Sequence, residues 1–294
     1  MKLRVLDLFS GIGGFSLGLE RTGGFETVAF CEIEPFPRRV LAKHWPGVPC
    51  YDDVRTLTSA RLAADGITGV DVITGGFPCQ DLSSAGKRAG IGEGTRSGLY
   101  AEVLRLAGDL RPRFIIMENV AGLLSGPSEQ PGQWFGRVLG DLACLGYDAE
   151  WENIPASALG APHRRERVWI VAYAPEIHDA EQQGIHRSRK NRQPCDDGSI
   201  LAHTDHLHEQ GQQPSLIDQK GWTRSFLRPF GPCRDGAGQW EVEPDVGRVA
   251  NGVPDRAHRL AALGNAVVPQ IPELIGRAIL QAEAQTEIRM ESIQ

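Results

Sequence analysis

The sequence lacks long apolar runs and paired cysteines. Its longest apolar run, residues 168–174, is far shorter than the roughly 18 residues that a membrane helix needs. Asp7 interrupts the apolar residues near the N-terminus, which therefore does not resemble a signal peptide. The six cysteines are scattered without a CxxC pair, a pattern typical of neither a disulfide framework nor a zinc site. These absences predict a soluble protein in a reduced, cytoplasmic setting, without membrane contact or a bound metal.

An excess of basic charge is also missing. The chain has 31 Lys and Arg against 37 Asp and Glu, which gives a net charge of −6 with His neutral. The molecule as a whole is therefore not the basic body that many nucleic-acid-binding proteins present. Any nucleic acid would have to be held by local basic patches.

The 294 residues fit one large α/β domain with a small second domain. Strand and helix patterns alternate up to residue 174, which favours a doubly wound, mostly parallel sheet. The following residues are polar and rich in Gly and Pro, with little periodicity. We therefore predict three segments: a first domain over 1–174, a small irregular domain over 175–246, and a segment over 247–294 whose helix, ending near residue 285, returns to the first domain.

A glycine turn follows the first predicted strand. The apolar run Val5 to Phe9 leads into Ser10 to Gly14, after which helical spacing begins. Such a turn presents backbone N–H groups and a helix N-terminus to a ligand, and an acid about 20 residues on, here Glu32, can bind a ribose hydroxyl. A nicotinamide cofactor fits this pattern as well, and a purely structural turn is a further alternative.

Two later stretches leave their roles open. Asp53 follows a third strand, where it could accept a hydrogen bond from an adenine amino group or cap the next helix. Residues 81–98 combine five glycines with Lys87, Arg88 and Arg96, a composition that suits a mobile lid over an anionic substrate. An ordinary surface loop has the same composition.

Two further side chains follow strand ends. Cys79 comes after the apolar run 70–73 and a stiff Pro-preceded turn, which makes it a candidate nucleophile or simply a buried thiol. Glu118 ends the strand 114–117, and ligands bind open α/β sheets at the carboxyl ends of parallel strands. The two side chains can therefore face one pocket. An arginine from residues 163–167 could reach that pocket or form surface salt bridges.

With these residues in place, the chain resembles the DNA cytosine-5 methyltransferases over residues 3–174 and again over about 256–282. Five stretches occur in the family's order: DLFSGIGGFSLGLE at 7–20, GGFPCQDLS at 75–83, ENV at 118–120, HRRERVWIVA at 163–172 and LGNAVVPQ at 263–270. The resemblance implies a Rossmann-like fold that binds S-adenosylmethionine, with residues 175–246 in the place of the target-recognition domain. Two departures are His163, where glutamine is more usual, and residues 245–254, which replace the usual motif before the last helix.

The resemblance also implies which residues bind the cofactor. The methionine moiety would lie at the glycine turn, the ribose at Glu32 and the adenine near Asp53. The full set of implied cofactor contacts is Phe9, Ser10, Gly11, Ile12, Gly13, Gly14, Glu32, Ile33, Asp53, Val54, Pro78, Leu99, Asn265 and Ala266.

The implied reaction is methylation of C5 of a cytosine flipped out of duplex DNA. Cys79 would add to C6 as a covalent catalyst. Glu118 would donate to N3 and accept from the N4 amino group, and Arg167, with Arg165 beside it, would contact O2. The implied DNA contacts, made as the loop closes, are Gln80, Ser83, Lys87 and Arg88.

The resemblance places the protein in restriction-modification or phage DNA protection, as a monomer that acts on double-stranded DNA. Residues 175–246 show no pattern that predicts a recognition sequence, and no motif identifies a partner endonuclease. Two alternatives are a transfer RNA cytosine-5 methyltransferase and a catalytically silent nucleic-acid-binding protein.

Overall fold

The computed structural model describes residues 1–77, 99–126, 132–174 and 255–291. Within these ranges seven strands form one sheet: β1 Leu3–Leu8, β2 Phe25–Cys31, β3 Cys50–Tyr51, β4 Val72–Gly75, β5 Phe114–Val120, β6 Asp148–Pro155 and β7 Glu166–Tyr173. Their order in the sheet is β3-β2-β1-β4-β5-β7-β6. The first five strands are mutually parallel, whereas β7 runs antiparallel to β5 and β6. The prediction of a doubly wound, mostly parallel sheet is confirmed.

Helices cover both faces of this sheet. They are α1 Gly14–Arg21, α2 Pro35–His44, α3 Ser59–Ala64, α4 Tyr100–Leu110, α5 Gly122–Ser125, α6 Gln133–Cys144, α7 Arg256–Asn265 and α8 Gln270–Glu291, with a short 3-10 turn at Ala156–Leu159. Helix α7 was not predicted, although its Ala, Leu and Arg content favours helix. Two of its leucines, Leu260 and Leu263, are exposed, so it lacks the buried stripe that usually reveals a helix in sequence.

The core has two layers because side chains alternate across the strands. On β5, Ile115 and Met117 face the layer that contains α3, α4 and α6. Phe114 and Ile116 face the opposite layer, which contains α1 and α8. In that second layer Ile271, Ile275 and Ile279 of α8 are buried at successive helical turns. Helix α8 therefore completes the core over the N-terminal strands.

Glycine allows α8 and the segment before it to lie close to α1. A Cβ atom at Gly18 would overlap the carbonyl oxygen of Pro269 and lie 2.9 Å from Cγ of Pro272. At Gly14 it would lie 2.7 Å from the carbonyl oxygen of Val267. Residues 267–272 thus pack directly on the backbone of α1.

We expect Gly18→Ala to lower the free energy of unfolding by about 1–3 kcal/mol, the usual effect of forcing a methyl group into a filled site. Thermal denaturation followed by circular dichroism measures this. The matched control is Gly136→Ala in α6, where a Cβ meets nothing within 4 Å. That control should gain roughly 0.5–1 kcal/mol from helix propensity. A Gly18→Ala protein as stable as the wild type would show that the two segments are not in contact.

Candidate active site

The glycine turn that follows β1 is held by hydrogen bonds to the next strand. Phe9, Gly11 and Gly13 have positive φ values of 53°, 52° and 85°, so the chain reverses sharply before α1 begins. The hydroxyl of Ser10 donates to the carbonyl oxygen of Asp7 over 2.5 Å, and the amide of Gly11 donates to Oε2 of Glu32 over 2.7 Å. The turn and Glu32, separated in sequence, therefore form one unit.

Glu32 directly follows β2 and is 8% exposed. Its second carboxylate oxygen accepts from the amide of Glu34 over 2.8 Å, so backbone donors fix the carboxylate from two sides. The next side chain, Ile33, is 62% exposed although it is large and apolar. A Cβ atom added at Gly11 would meet no other atom within 4 Å. An anchored acid, an exposed apolar side chain and open space above the turn are compatible with a nucleoside ligand at this place.

The predicted adenine side lies after β3. Asp53 accepts from Nε and Nη2 of Arg55, and this pairing holds the pKa of its carboxyl below the usual range. Val54 is buried. The hydroxyl of Thr58, not Asp53, caps helix α3, so the capping alternative is not what the structure shows. The adenine contact stays a prediction.

Arg105 was not singled out in the sequence, yet it fixes this loop. From α4 its guanidinium donates to the carbonyl oxygens of Val54 and Leu57 over 3.0 and 2.8 Å. The predicted cofactor residue Leu99 is the N-cap of the same helix and packs against the core. An arginine that reaches backbone carbonyls about 50 residues away has no local sequence signal.

A buried carboxyl lies behind the glycine turn. Asp7 is fully buried, and its two oxygens accept from the hydroxyls of Ser16 and Thr74, each over 2.8 Å. Burial is the main cause that raises the pKa of this carboxyl from 3.8 to about 7, and the two hydroxyls act in the opposite direction. Asp7 thus joins β1, α1 and β4 beneath the proposed ligand site.

We expect stability to fall as pH rises because of Asp7, and Asp7→Asn to remove that dependence. In the unfolded chain the carboxyl loses its proton near pH 3.8, but in the folded chain only near pH 7. Between these values the unfolded state binds fewer protons, so the group's contribution is largest below about pH 4, declines up to about pH 7 and is constant above.

Urea denaturation at pH 5 and pH 8 tests this expectation. Relative to Asp7→Asn, the wild type should lose roughly 2–3 kcal/mol between the two pH values, since one pKa unit corresponds to about 1.36 kcal/mol. Asparagine is a suitable replacement because it keeps an acceptor and adds a donor for the two hydroxyls. An identical pH dependence in both proteins would contradict the assignment.

Glu118 forms the centre of a second cluster of predicted site residues at the same sheet edge. It lies near the carboxyl end of β5, and its Oε1 accepts from Nε of Arg167 over 2.8 Å. Arg167 reaches it because β7 runs antiparallel to β5 and pairs Val120 with Arg167. The Glu118 side chain is 14% exposed. Its Oε2 lies 3.1 Å from the position that a Cβ of Gly76 would occupy, so the absence of a side chain there leaves that oxygen accessible.

The protonation of Glu118 is set by opposing effects. Burial raises the pKa of its carboxyl, while the positive charges of Arg167 and Arg165 lower it, and the net direction is upward. The carboxyl therefore keeps its proton at a higher pH than an exposed glutamate does. A carboxyl group of this kind can both donate and accept hydrogen bonds.

Asn119 anchors the chain that leads to Cys79. Its buried amide donates to the carbonyl oxygen of Phe77 over 3.2 Å, and the Phe77 ring packs against Tyr100 with centroids 5.2 Å apart. Phe77, two residues beyond the end of β4, is therefore held in place by Asn119 and Tyr100. Asn119 belongs to the ENV motif at 118–120, but the motif did not predict this role.

The structure directs the side chain of Arg165 to residues 264–266. Its Nη1 and Nη2 donate to the carbonyl oxygens of Gly264 and Ala266, each over 2.7 Å. This brings the predicted cofactor residues Asn265 and Ala266 beside β7, while Val267 touches Gly14 of the glycine turn. Six predicted site residues lie outside the described ranges: Pro78, Cys79, Gln80, Ser83, Lys87 and Arg88.

Two negative observations concern only the described part of the chain. Over residues 1–77, 99–126, 132–174 and 255–291, no group of three or more His, Cys, Asp or Glu side chains is arranged to hold a metal ion. In the same ranges, no helix is both long and apolar enough to cross a membrane.

Comparison with known proteins identifies the family. The model for the C-5 cytosine-specific DNA methylases matches residues 3–224, more than half of the chain. The chain belongs to this family, which confirms the resemblance predicted from its motifs.

Individual relatives agree with this assignment. The type II methyltransferase M2.BsuMI of Bacillus subtilis is 34% identical over 234 residues, 78% of this chain and 56% of that protein. M.Sau3AI of Staphylococcus aureus is 35% identical over 188 residues, 60% of this chain and 45% of that protein. The chain thus spans about half the length of these relatives. Among solved structures, the S. pombe Dnmt2 methyltransferase has a TM-score of 0.47 at 22% identity, over 65% of this chain and 59% of that one. This structural similarity is distant.

Proposed function

We propose that the protein is a DNA cytosine-5 methyltransferase that uses S-adenosylmethionine. The observation that carries this proposal is the partly buried Glu118, held by Arg167 beside Gly76, at the same sheet edge as the glycine turn and Glu32. Membership of the C-5 cytosine-specific DNA methylase family supports the choice of reaction. A nicotinamide enzyme would have no use for a cytosine-reading carboxyl at that position.

S-adenosylmethionine would supply an electrophilic methyl group on its sulfonium. The glycine turn would receive its methionine end, Glu32 its ribose, and Ile33, Asp53 and Val54 its adenine. Because backbone amides orient the Glu32 carboxylate before any ligand arrives, little side-chain freedom would be lost on binding. The remaining contacts would come from Leu99, Asn265 and Ala266.

Cys79 would begin the reaction on the cytosine. C5 of cytosine is a poor nucleophile, and addition of the Cys79 thiolate to C6 breaks the C5–C6 double bond and places electron density on C5. The charge that develops at N3 would be neutralised by a proton from Glu118. C5 would then accept the methyl group, with S-adenosylhomocysteine as the leaving group. A base would remove the C5 proton, and elimination of the Cys79 thiolate, with return of the N3 proton to Glu118, would restore the ring. We propose a bound water as that base.

Arg167 would serve both Glu118 and the base. Its Nε is already engaged with Oε1 of Glu118, so that pairing orients the carboxyl. Its Nη1 donates to the carbonyl oxygen of Glu166 over 2.8 Å, so Nη2 is the group that would contact O2 of the cytosine. Discrimination against thymine would follow because Glu118 requires an amino group at C4 and a proton acceptor at N3.

Access to C5 would require the cytosine to leave the double helix, at an expense of a few kcal/mol. Gln80 would fill the space left by the base, and Ser83, Lys87 and Arg88 would contact the backbone of the target strand. Such contacts position the protein without selecting a sequence. Selection would come from residues 175–246, the proposed target-recognition domain.

The relatives are type II methyltransferases of bacteria. We propose that this protein likewise protects DNA in restriction-modification or in phage, as a monomer in the cytoplasm. A cognate restriction endonuclease would be its partner in function, without the need for a physical complex.

Transfer of tritium from methyl-labelled S-adenosylmethionine tests the function. We expect incorporation into duplex DNA of mixed sequence and none into total transfer RNA. Incorporation into transfer RNA alone would show that transfer RNA, not DNA, is the substrate. Binding of DNA without any methyl transfer would favour a catalytically silent nucleic-acid-binding protein. Bisulfite sequencing of DNA from cells that express the protein would then identify the methylated sequence.

A further inference from the structure

Arg165 connects two segments that are far apart in sequence. It lies directly before β7, yet its guanidinium reaches residues 264–266, the last two residues of α7 and the first residue of the connection to α8 (the 264–266 loop). There Nη1 and Nη2 donate to the carbonyl oxygens of Gly264 and Ala266, both over 2.7 Å. The two acceptors flank Asn265, one of the residues proposed to contact the cofactor. Two charge-assisted bonds from one planar guanidinium fix both the position and the orientation of this backbone.

The loop is held on its other side by the glycine turn. The carbonyl oxygen of Val267 lies 2.7 Å from where a Cβ of Gly14 would be. The segment 264–267 is thus enclosed between Arg165 and the first turn of α1. Asn265 itself is exposed, so the guanidinium and the turn, rather than burial of Asn265, determine where its side chain can be presented.

The backbone of Arg165 is in a conformation that non-glycine residues seldom adopt. Its φ value is 32°, and a left-handed conformation costs a residue with a Cβ roughly 1–2 kcal/mol. The neighbouring Arg164 and Arg167 do not share it. Arg164 is 84% exposed and pairs with Glu166, whereas Arg167 pairs with Glu118. The left-handed residue is the one whose side chain reaches the 264–266 loop.

We propose that Arg165 is a positioning residue for the methyl-donor site, which acts by holding the 264–266 loop and does not contact the cytosine. The inference rests on the proposed function and deepens it, because it divides the arginine pair between the two substrates. Arg167 serves the cytosine through Glu118, and Arg165 serves S-adenosylmethionine through Gly264 and Ala266.

This division has a measurable consequence. If the loop is ordered in only a fraction of the molecules, the apparent dissociation constant of the cofactor rises by the inverse of that fraction. Loss of both bonds, each from a charged donor, is expected to weaken cofactor binding about tenfold or more. At saturating cofactor the loop is ordered by the ligand, so kcat recovers to within about threefold of the wild type.

The test compares Arg165→Gln with Arg164→Gln, a matched replacement at an exposed neighbour whose side chain does not reach the loop. Binding of S-adenosylhomocysteine to the full chain without DNA is measured by calorimetry, and kcat is measured at saturating S-adenosylmethionine. We expect the dissociation constant to rise about tenfold or more for Arg165→Gln and to stay within twofold for Arg164→Gln. Unchanged binding with kcat lowered a hundredfold would overturn the proposal and assign Arg165 to the cytosine.

Arg165→Gly separates positioning from general stability. Glycine adopts a positive φ without strain, so the melting temperature of this apoprotein should not fall below that of Arg165→Gln. Its cofactor affinity should nevertheless be as weak, because the two hydrogen bonds are missing. Restoration of wild-type affinity in Arg165→Gly would overturn the proposal. If the wild type binds no S-adenosylhomocysteine, the proposed function itself fails; if the wild type binds and methylates while Arg165→Gln is unaffected, only this inference fails.

Discussion

Glu118→Gln is expected to lower kcat by a factor on the order of 10²–10⁴, the range for loss of a positioned general acid, while cofactor affinity stays within about twofold. Glutamine fits the same space and still accepts from Arg167. However, its oxygen is then engaged with Nε of Arg167, which leaves an amide that donates to N3 but cannot transfer a proton. The N3 charge that develops after addition at C6 would remain unneutralised.

The pH dependence of the wild type provides a second test of the same role. Burial raises the pKa of the Glu118 carboxyl, and the acid form is the one required. Turnover should therefore fall as pH rises through that pKa, with the midpoint above the ordinary range of a glutamate. Glu118→Gln has no such group, so its residual turnover should not show this limb of the profile.

Single-turnover methyl transfer at saturating cofactor measures the loss, and calorimetry measures cofactor binding. The matched control is Glu26→Gln, an exposed glutamate on β2, which should behave as the wild type in both assays. Equal turnover of Glu118→Gln and the wild type would remove Glu118 from the mechanism.

Cys79→Ser is expected to abolish covalent capture of the substrate. DNA in which 5-fluorocytosine replaces every cytosine carries the analogue at each target site, so the recognition sequence need not be known for this experiment. After the thiolate has added to C6 and C5 has been methylated, C5 bears a fluorine in place of the proton that a base normally removes. A base cannot remove the fluorine, so the thiolate is not eliminated and stays bound to the DNA. The wild type with S-adenosylmethionine should give a complex that survives denaturation.

The serine variant should give none, because its oxygen is a far weaker nucleophile than a thiolate at neutral pH. Its turnover should fall by on the order of 10⁴–10⁶, as when other enzymes lose their nucleophile. Cys31→Ser serves as the control, since Cys31 is a buried thiol on β2 whose pKa burial raises to about 12, and it should leave capture intact. A denaturant-stable complex of Cys79→Ser would show that another group is the nucleophile.

The features that the sequence predicted are those encoded by neighbouring residues. The glycine turn, Glu32 and Glu118 each follow a short apolar run in the sequence. Because parallel strands bring their carboxyl ends to one edge of the sheet, these residues were expected at one edge. The structure accordingly brings Gly11 to Glu32 and Arg167 to Glu118. The family motifs extended this prediction to individual contacts.

Contacts made by long side chains across the fold were not predictable in the same way. Arg165 binds carbonyls 99 and 101 residues away, and Arg105 binds carbonyls 51 and 48 residues away. A backbone acceptor has no residue identity that sequence can reveal. Asp7 was noticed only as an interruption of an apolar run, because its partners Ser16 and Thr74 become neighbours only when β1, α1 and β4 assemble.

The packing of α8 on α1 also determines when, during synthesis, the protein becomes competent. The ribosome completes β1 and α1 long before α8, so the apolar faces of Phe15, Leu19 and Phe25 can pack on Ile271, Ile275 and Ile279 only after residue 279 has emerged. Until then these residues are a candidate surface for chaperones, because exposed apolar faces on nascent chains promote aggregation. The same delay applies to the proposed methyl-donor site, since residues 264–267 directly precede α8. With the proposed function, a nascent chain could therefore not methylate DNA until α8 docks.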